Sequence, residues 1–132
     1  MKAQTISVFI AATPARIYEF ASNPGNLPLW VPSFCKSVEH LDGEWFVQSP
    51  AGRVAFSFVR ANDLGVLDHT VAFPSGATTT NAMRVIPNGD GGEMLFTLFQ
   101  REGMSDQQFQ EDAALVLSDL QTLRRLLEAS RE

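Results

Sequence analysis

An α+β fold, a curved seven-stranded antiparallel sheet wrapped around one long C-terminal helix with two short helices after strand 1, is what three features of the sequence predict. The first is a long amphipathic segment from Ser105 to Arg131. The second is a series of short runs rich in Val, Phe and Thr between Phe34 and Gln100, broken by turn residues at hairpin intervals. The third is an alternating run near the start, Thr5 to Ala11, followed at once by a proline-started helical segment.

In the opening run Ile6, Val8 and Ile10 alternate with Thr5 and Ser7, the period-two signal of a half-buried strand, with Phe9 on the opposite face. Thr13 then Pro14 reads as an N-cap and a first helical residue, and Ile17, Phe20 and Ala21 give the helix one apolar face. Asn23-Pro24-Gly25 ends it, and Asn26 to Trp30 forms a second short turn of helix before Pro32.

Six strands follow. Asp42-Gly43 supplies the positive φ angles of a two-residue hairpin between Cys35 to Leu41 and Glu44 to Gln48. Ser49-Pro50-Ala51-Gly52 turns the chain into Arg53 to Arg60, and Asn62-Asp63-Leu64-Gly65 into Val66 to Phe73. Pro74-Ser75-Gly76 leads to Ala77 to Ile86, and a Gly-rich loop at Pro87 to Gly92 leads to Glu93 to Gln100. Short connections make these six an antiparallel meander, and the opening strand makes seven.

The terminal segment carries apolar residues at Phe109, Ala113, Val116, Leu117, Leu120, Leu123 and Leu127, three- and four-residue steps along one helix face. Ser105 and Gln108 form a capping box, and Asp106, Glu111 and Asp112 at the start with Arg124, Arg125 and Arg131 toward the end run with the helix dipole. At about 1.5 Å per residue such a helix is roughly 40 Å long. It is the one element large enough to cover the concave face of the sheet.

The 132 residues, 45% of them hydrophobic, are enough for a single domain over 1–132 with a sizeable core. A net charge of -5 argues against a nucleic-acid or anionic-membrane partner, since both need clustered Lys and Arg. A single cysteine, Cys35, and an N-terminus without a basic-then-apolar signal make a reducing, cytoplasmic location the expectation. No apolar run approaches the roughly 20 residues of a membrane span. One Cys and two widely spaced His form no metal-ligand pattern, and neither a metal nor a cofactor is expected.

Against this order of elements, TISVFIAATPARIYEFASNPGNLPLWVP, Thr5 to Pro32, resembles the opening strand, Pro-started helix and Trp-Pro segment of the START-like superfamily, which includes polyketide cyclase/dehydrase and lipid-transport proteins and is also called SRPBCC. GVLDHTV from Gly65 and MRVIPNGDG from Met83 are similar to a small uncharacterised bacterial branch of it. The resemblance covers nearly the whole chain. It implies the helix-grip fold and a cavity between sheet and helix for a hydrophobic or amphipathic small molecule. It does not imply one activity, because one fold hosts several.

Strand parity names the inward residues. The apolar sets are Val54, Phe56 and Phe58; Leu67, Val71 and Phe73, with His69 among them; Thr79, Asn81, Met83 and Val85; and Met94, Phe96 and Leu98. Asp68 and Arg84 then face outward as a surface ion pair worth about 0 to 1 kcal/mol. On the second strand Val38 and His40 read as inward, while Trp45-Phe46-Val47 is apolar on both faces and leaves its parity open. The ligand-binding candidates are His69, Asn81, Met83, Phe56, Phe58, Met94, Phe96, Phe109, Ala113, Trp30 and His40. Trp30 is expected near one mouth of the cavity with the Tyr18 hydroxyl at the same rim. Phe109 and Ala113 are expected where it opens, and Leu120, Leu123 and Leu127 at its tighter end.

Two functions from different classes follow. One is a binding module that holds a lipid- or polyketide-like ligand by burial. The other is an enzyme of the polyketide cyclase or aromatase kind in which His69, with Asn81, moves protons. An inward histidine is more often a core residue satisfied by a neighbour such as Asn81, since buried polar groups are usually paired internally, and Cys35 reads as a small filler. The paucity of inward acids and bases favours the binding module. Leu115 and Leu126, off the main helical stripe, leave a homodimer open.

Overall fold

A computed structural model describes residues 1–129; Arg131, one of the basic residues expected near the helix end, lies outside the described residues. Strand β1 (Ala3–Ile10) is followed by α1 (Pro14–Ala21), a 3-10 turn at Pro24–Asn26 and α2 (Leu27–Trp30). Strands β2 (Ser37–Leu41), β3 (Glu44–Ser49), β4 (Gly52–Phe58), β5 (His69–Ala72), β6 (Thr78–Asn88) and β7 (Gly91–Phe99) precede the long helix α3 (Asp106–Ala129). All neighbours are antiparallel, in the order β1-β7-β6-β5-β4-β3-β2. The meander thus runs from β2 to β7, and β1 closes beside its last strand.

Local chemistry explains the elements. The Thr13 hydroxyl accepts from the Arg16 amide at 3.2 Å with Pro14 opening α1. Asp42 and Gly43 take φ of 51° and 80°, the left-handed pair that a tight hairpin between β2 and β3 needs. The Ser105 hydroxyl accepts from the Gln108 amide at 3.0 Å. The Gln108 side chain does not complete the expected box; it donates to Asp112 at 2.7 Å, one turn on.

Two segments differ from expectation. The run from Val66 to Phe73 enters the ladder only at His69, because the Asp68 carboxylate takes the Met83 amide at 2.9 Å in place of a backbone carbonyl. Before that point a lone bridge, Val66 to Arg84, holds the strands together. Conversely, most of the expected loop at Pro87 to Gly92 is ladder, with Pro87 opposite Gly92 and Asn88 opposite Gly91. Pro87 is tolerated in β6 because β5 pairs only with 78–81, so no second neighbour calls for its missing N–H.

Helix α3 lies against β1, β7 and α2. It buries Phe109, Ala113, Leu120, Leu123 and Leu127. Val116 is partly buried and continues this stripe, whereas Leu117, one residue or about 100° further round, is 40% exposed. On the sheet, Ile6, Val8 and Ile10, Val54 and Phe56, Val71, Met83 and Val85, and Met94 form the buried face, as alternation requires. Val47 is fully buried, which settles β3: Trp45 shares its face, and Phe46 points outward under the Arg53 guanidinium at 4.1 Å. No described helix is long and apolar enough to cross a membrane.

Candidate functional site: an apolar cavity between sheet and helix

The register aligns inward residues in rows. Phe58, His69 and Asn81 stand opposite one another on β4, β5 and β6, and Phe56, Val71 and Thr79 form the next row. Met83 faces Phe96 on β7. Across from these rows lie Val116, Asp119 and Leu120 of α3, and Leu27, Trp30, Val31 and Phe34 at and after α2. The walls do not meet. Between them is a cavity of about 290 Å³, at the lower end of the roughly 300–1,000 Å³ typical of small-molecule sites.

His69 stands in the middle of the sheet wall, 8% exposed. Its ring stacks on Phe56 with centroids 5.1 Å apart and meets Phe58 edge-on at 5.5 Å. Nδ1 lies 3.0 Å from the Leu67 carbonyl oxygen and Nε2 3.4 Å from Asn81 Nδ2. A carbonyl can only accept, so Nδ1 carries the hydrogen and Nε2 of the neutral ring accepts from the Asn81 amide. Burial pushes the pKa of His69 down, against weaker upward pulls from the Leu67 carbonyl and the Asp68 charge.

The opposite wall carries a group that sequence reasoning missed. Asp119 faces the cavity from the middle of α3, and among the described residues its carboxylate has no hydrogen bond or ion pair. Desolvation by burial raises its pKa from 3.8 to about 7. A signal was available: Asp119 is three residues after Val116 and four before Leu123, on the edge of the apolar stripe. Trp30 is 3% exposed, and its Nε1 is buried without a hydrogen-bond partner among the described residues.

The expected candidates divide. Trp30, Phe56, Phe58, His69, Asn81, Met83 and Phe96 line the cavity. Met94, fully buried, does not; it is opposite Val8 and Val85 in the closely packed end of the sheet. Phe109 and Ala113 are buried but also lie outside it, so the space beside α3 is at the middle of the helix, two turns beyond the expected opening. Leu120, expected at the tighter end, is part of its wall. His40 is on the inward face but exposed, stacked on Trp45 at 4.3 Å on β2, the outermost strand of the sheet. The Tyr18 hydroxyl accepts from the Asn62 amide at 3.1 Å and pins the loop before β5 instead of reaching the cavity. Trp30 is a buried wall and not a mouth residue. Cys35 is buried, with burial raising its thiol pKa to about 11, and is inert packing. Leu126 packs partly buried against the core, which leaves Leu115, 50% exposed, as the open one of that pair.

No family model matches the sequence, and no curated protein is similar enough to count as a relative. The fold, however, recurs in solved structures. XoxI from Bacillus cereus aligns with a TM-score of 0.71 at 16% identity over 96% of this chain and 95% of its own. The Aha1 dimer from Colwellia psychrerythraea gives 0.75 at 14% identity over the full length of both chains. Ara h 8.0201 gives 0.71 at 11% identity over 98% of this chain and 99% of its own. The chain therefore has the helix-grip fold that these solved structures share.

Proposed function

We propose that the chain binds a small hydrophobic or amphipathic molecule in the cavity between the sheet and α3. One observation carries the reading: the side chains of sheet and helix leave about 290 Å³ unfilled between them, and the walls are mostly aromatic and aliphatic. An apolar ligand that fills such a space gains about 25 cal/mol for each Å² of apolar surface taken from water. Native mass spectrometry of protein purified without detergent is expected to show a noncovalent adduct that denaturing conditions remove. A cavity that takes up neither an adduct nor added small hydrophobic probes would sink the reading.

A second reading, a proton-transfer enzyme of the polyketide cyclase kind, is favoured by one pair. His69, neutral with an accepting Nε2, and Asp119, an acid titrating near 7, line the same cavity from opposite walls. On this reading His69→Ala abolishes turnover of a polyketide-like substrate at nearly unchanged melting temperature. A structural His69 would show the reverse. For partners, we propose a homodimer through the side of α3 that carries the exposed Leu115; sedimentation velocity of the wild type against Leu115→Glu tests it, and a monomeric wild type would refute it.

A further inference from the structure

The cavity lining carries one acidic side chain and no basic one. Asp119 is a carboxyl without a partner among the described residues, set among Val116, Leu120 and the aromatic wall. Neither Lys nor Arg lines this space. The one other titratable group there, His69, has Nδ1 on a carbonyl and Nε2 on an amide, and burial keeps it neutral. The rings of Trp30, Phe34, Phe56, Phe58, Phe73 and Phe96 supply the rest of the lining that matters for recognition.

We propose that Asp119 makes this cavity a site for a small aromatic amine, whose ring packs among the aromatic side chains while its protonated nitrogen pairs with the Asp119 carboxylate. The proposal rests on the ligand-binding reading above and narrows it. An ionised carboxylate in apolar surroundings is costly, and in the empty protein Asp119 relieves that cost by holding its proton. An ammonium group relieves it differently, by giving the carboxylate a charge-assisted N–H donor and an opposite charge at once. Aromatic faces add cation–π attraction to the same nitrogen. A carboxylate-bearing ligand such as a fatty acid meets the opposite situation: it finds no cation, and Asp119 repels it. An alcohol of the same shape can donate one hydrogen bond to that carboxylate but brings no opposite charge to it.

Three naphthalenes of matched size separate these cases: 2-naphthylmethylamine, 2-naphthylmethanol and 2-naphthoate, titrated calorimetrically into the wild-type protein at about pH 8, where the carboxylate and the ammonium are both charged. The amine is expected to bind about tenfold more tightly than the alcohol, and the naphthoate more weakly than either. Asp119→Asn is expected to collapse the preference of amine over alcohol. Asp119→Ala, which keeps a good helix former at the position, takes its place should the Asn protein fail to fold. Alcohol binding without a preference for the amine, or an amine preference that survives both substitutions, overturns the role of Asp119 while leaving the hydrophobic cavity in place. Failure of all three compounds to bind overturns both.

Discussion

Asn81 Nδ2 lies 3.4 Å from His69 Nε2 across directly paired residues of β6 and β5, while Nδ1 of the same ring faces the Leu67 carbonyl at 3.0 Å. The two contacts hold one tautomer, and the amide donates to a lone pair that only the neutral ring has. A hydrogen bond to the neutral form opposes protonation, as burial does. Asn81→Ala removes that donor and admits water, so the pKa of His69 should rise toward its ordinary value. NMR titration of the ring protons checks this, and an unmoved titration would mean that Asn81 does not hold the ring.

The same lowering sets the acid side of the stability profile. The folded pKa of His69 lies below its unfolded value of about 6.5. Below that pH the unfolded chain therefore binds more protons than the folded one, and stability falls as pH falls. His69→Gln has no such proton to take up. Urea unfolding at pH 7 and pH 5 should show a smaller loss for the variant than for the wild type; equal losses would assign the acid sensitivity to other groups.

Strand parity was legible because each strand from β4 to β7 has one apolar face, and a polar residue on it, such as His69 or Asn81, inherits the direction of its neighbours. Three things were less so. His40 has the inward parity, but parity does not say whether a strand is covered, and β2 is the outermost. The position of the cavity along α3 depends on where α2 and the segment to Phe34 abut the helix, which the helical stripe does not encode. Asp119 is hidden in the sequence because a helical carboxylate is by default solvated; its phase beside Val116 and Leu123 is the contrary sign.

Asp68 has two contacts of unequal weight. Its Oδ1 accepts from the Met83 amide at 2.9 Å, and its Oδ2 lies 3.5 Å from the exposed Arg84 guanidinium. The first satisfies a backbone donor where the ladder between β5 and β6 is interrupted. The second is a surface ion pair. Asp68→Ala should cost about 1–3 kcal/mol by orphaning the Met83 amide, and Arg84→Ala less than about 1 kcal/mol. Denaturant melts of the two variants compare them; equal costs would place the value of Asp68 in the ion pair.

Gly65 has φ of 75°, and a Cβ built on it runs into the Val85 carbonyl oxygen. That carbonyl belongs to backbone in β6, and the Val85 amide donates back to the Gly65 carbonyl at 3.0 Å, so neither side can withdraw cheaply. Gly65→Ala therefore adds steric conflict to the roughly 1 kcal/mol of a left-handed alanine. A loss of about 2 kcal/mol or more is expected in urea unfolding. Because β4 enters β5 through this loop, the same variant should speed hydrogen exchange at the amides of Leu67 and Met83; a loss below about 1 kcal/mol would mean that the loop yields.

Asp119 should make the protein less stable at alkaline pH than its uncharged counterpart. Its pKa rises from 3.8 to about 7 on folding because burial disfavours the charged form. Between those values the folded chain holds a proton that the unfolded chain has released, so this group adds stability as pH falls from 7 toward 4 and removes it as pH rises through 7. Asn at this position has nearly the same shape and no proton to lose. Above pH 7 Asp119→Asn should be more stable than the wild type by about 1–2 kcal/mol, less than the full 1.4 kcal/mol per pKa unit because the carboxyl is partly hydrated. Near pH 4 the two proteins should converge, since the wild-type carboxyl is then neutral as well. Urea unfolding at pH 4, 6 and 8 reads the gap directly, and a gap that stays constant or widens toward pH 4 would show that Asp119 ionises without penalty in the cavity.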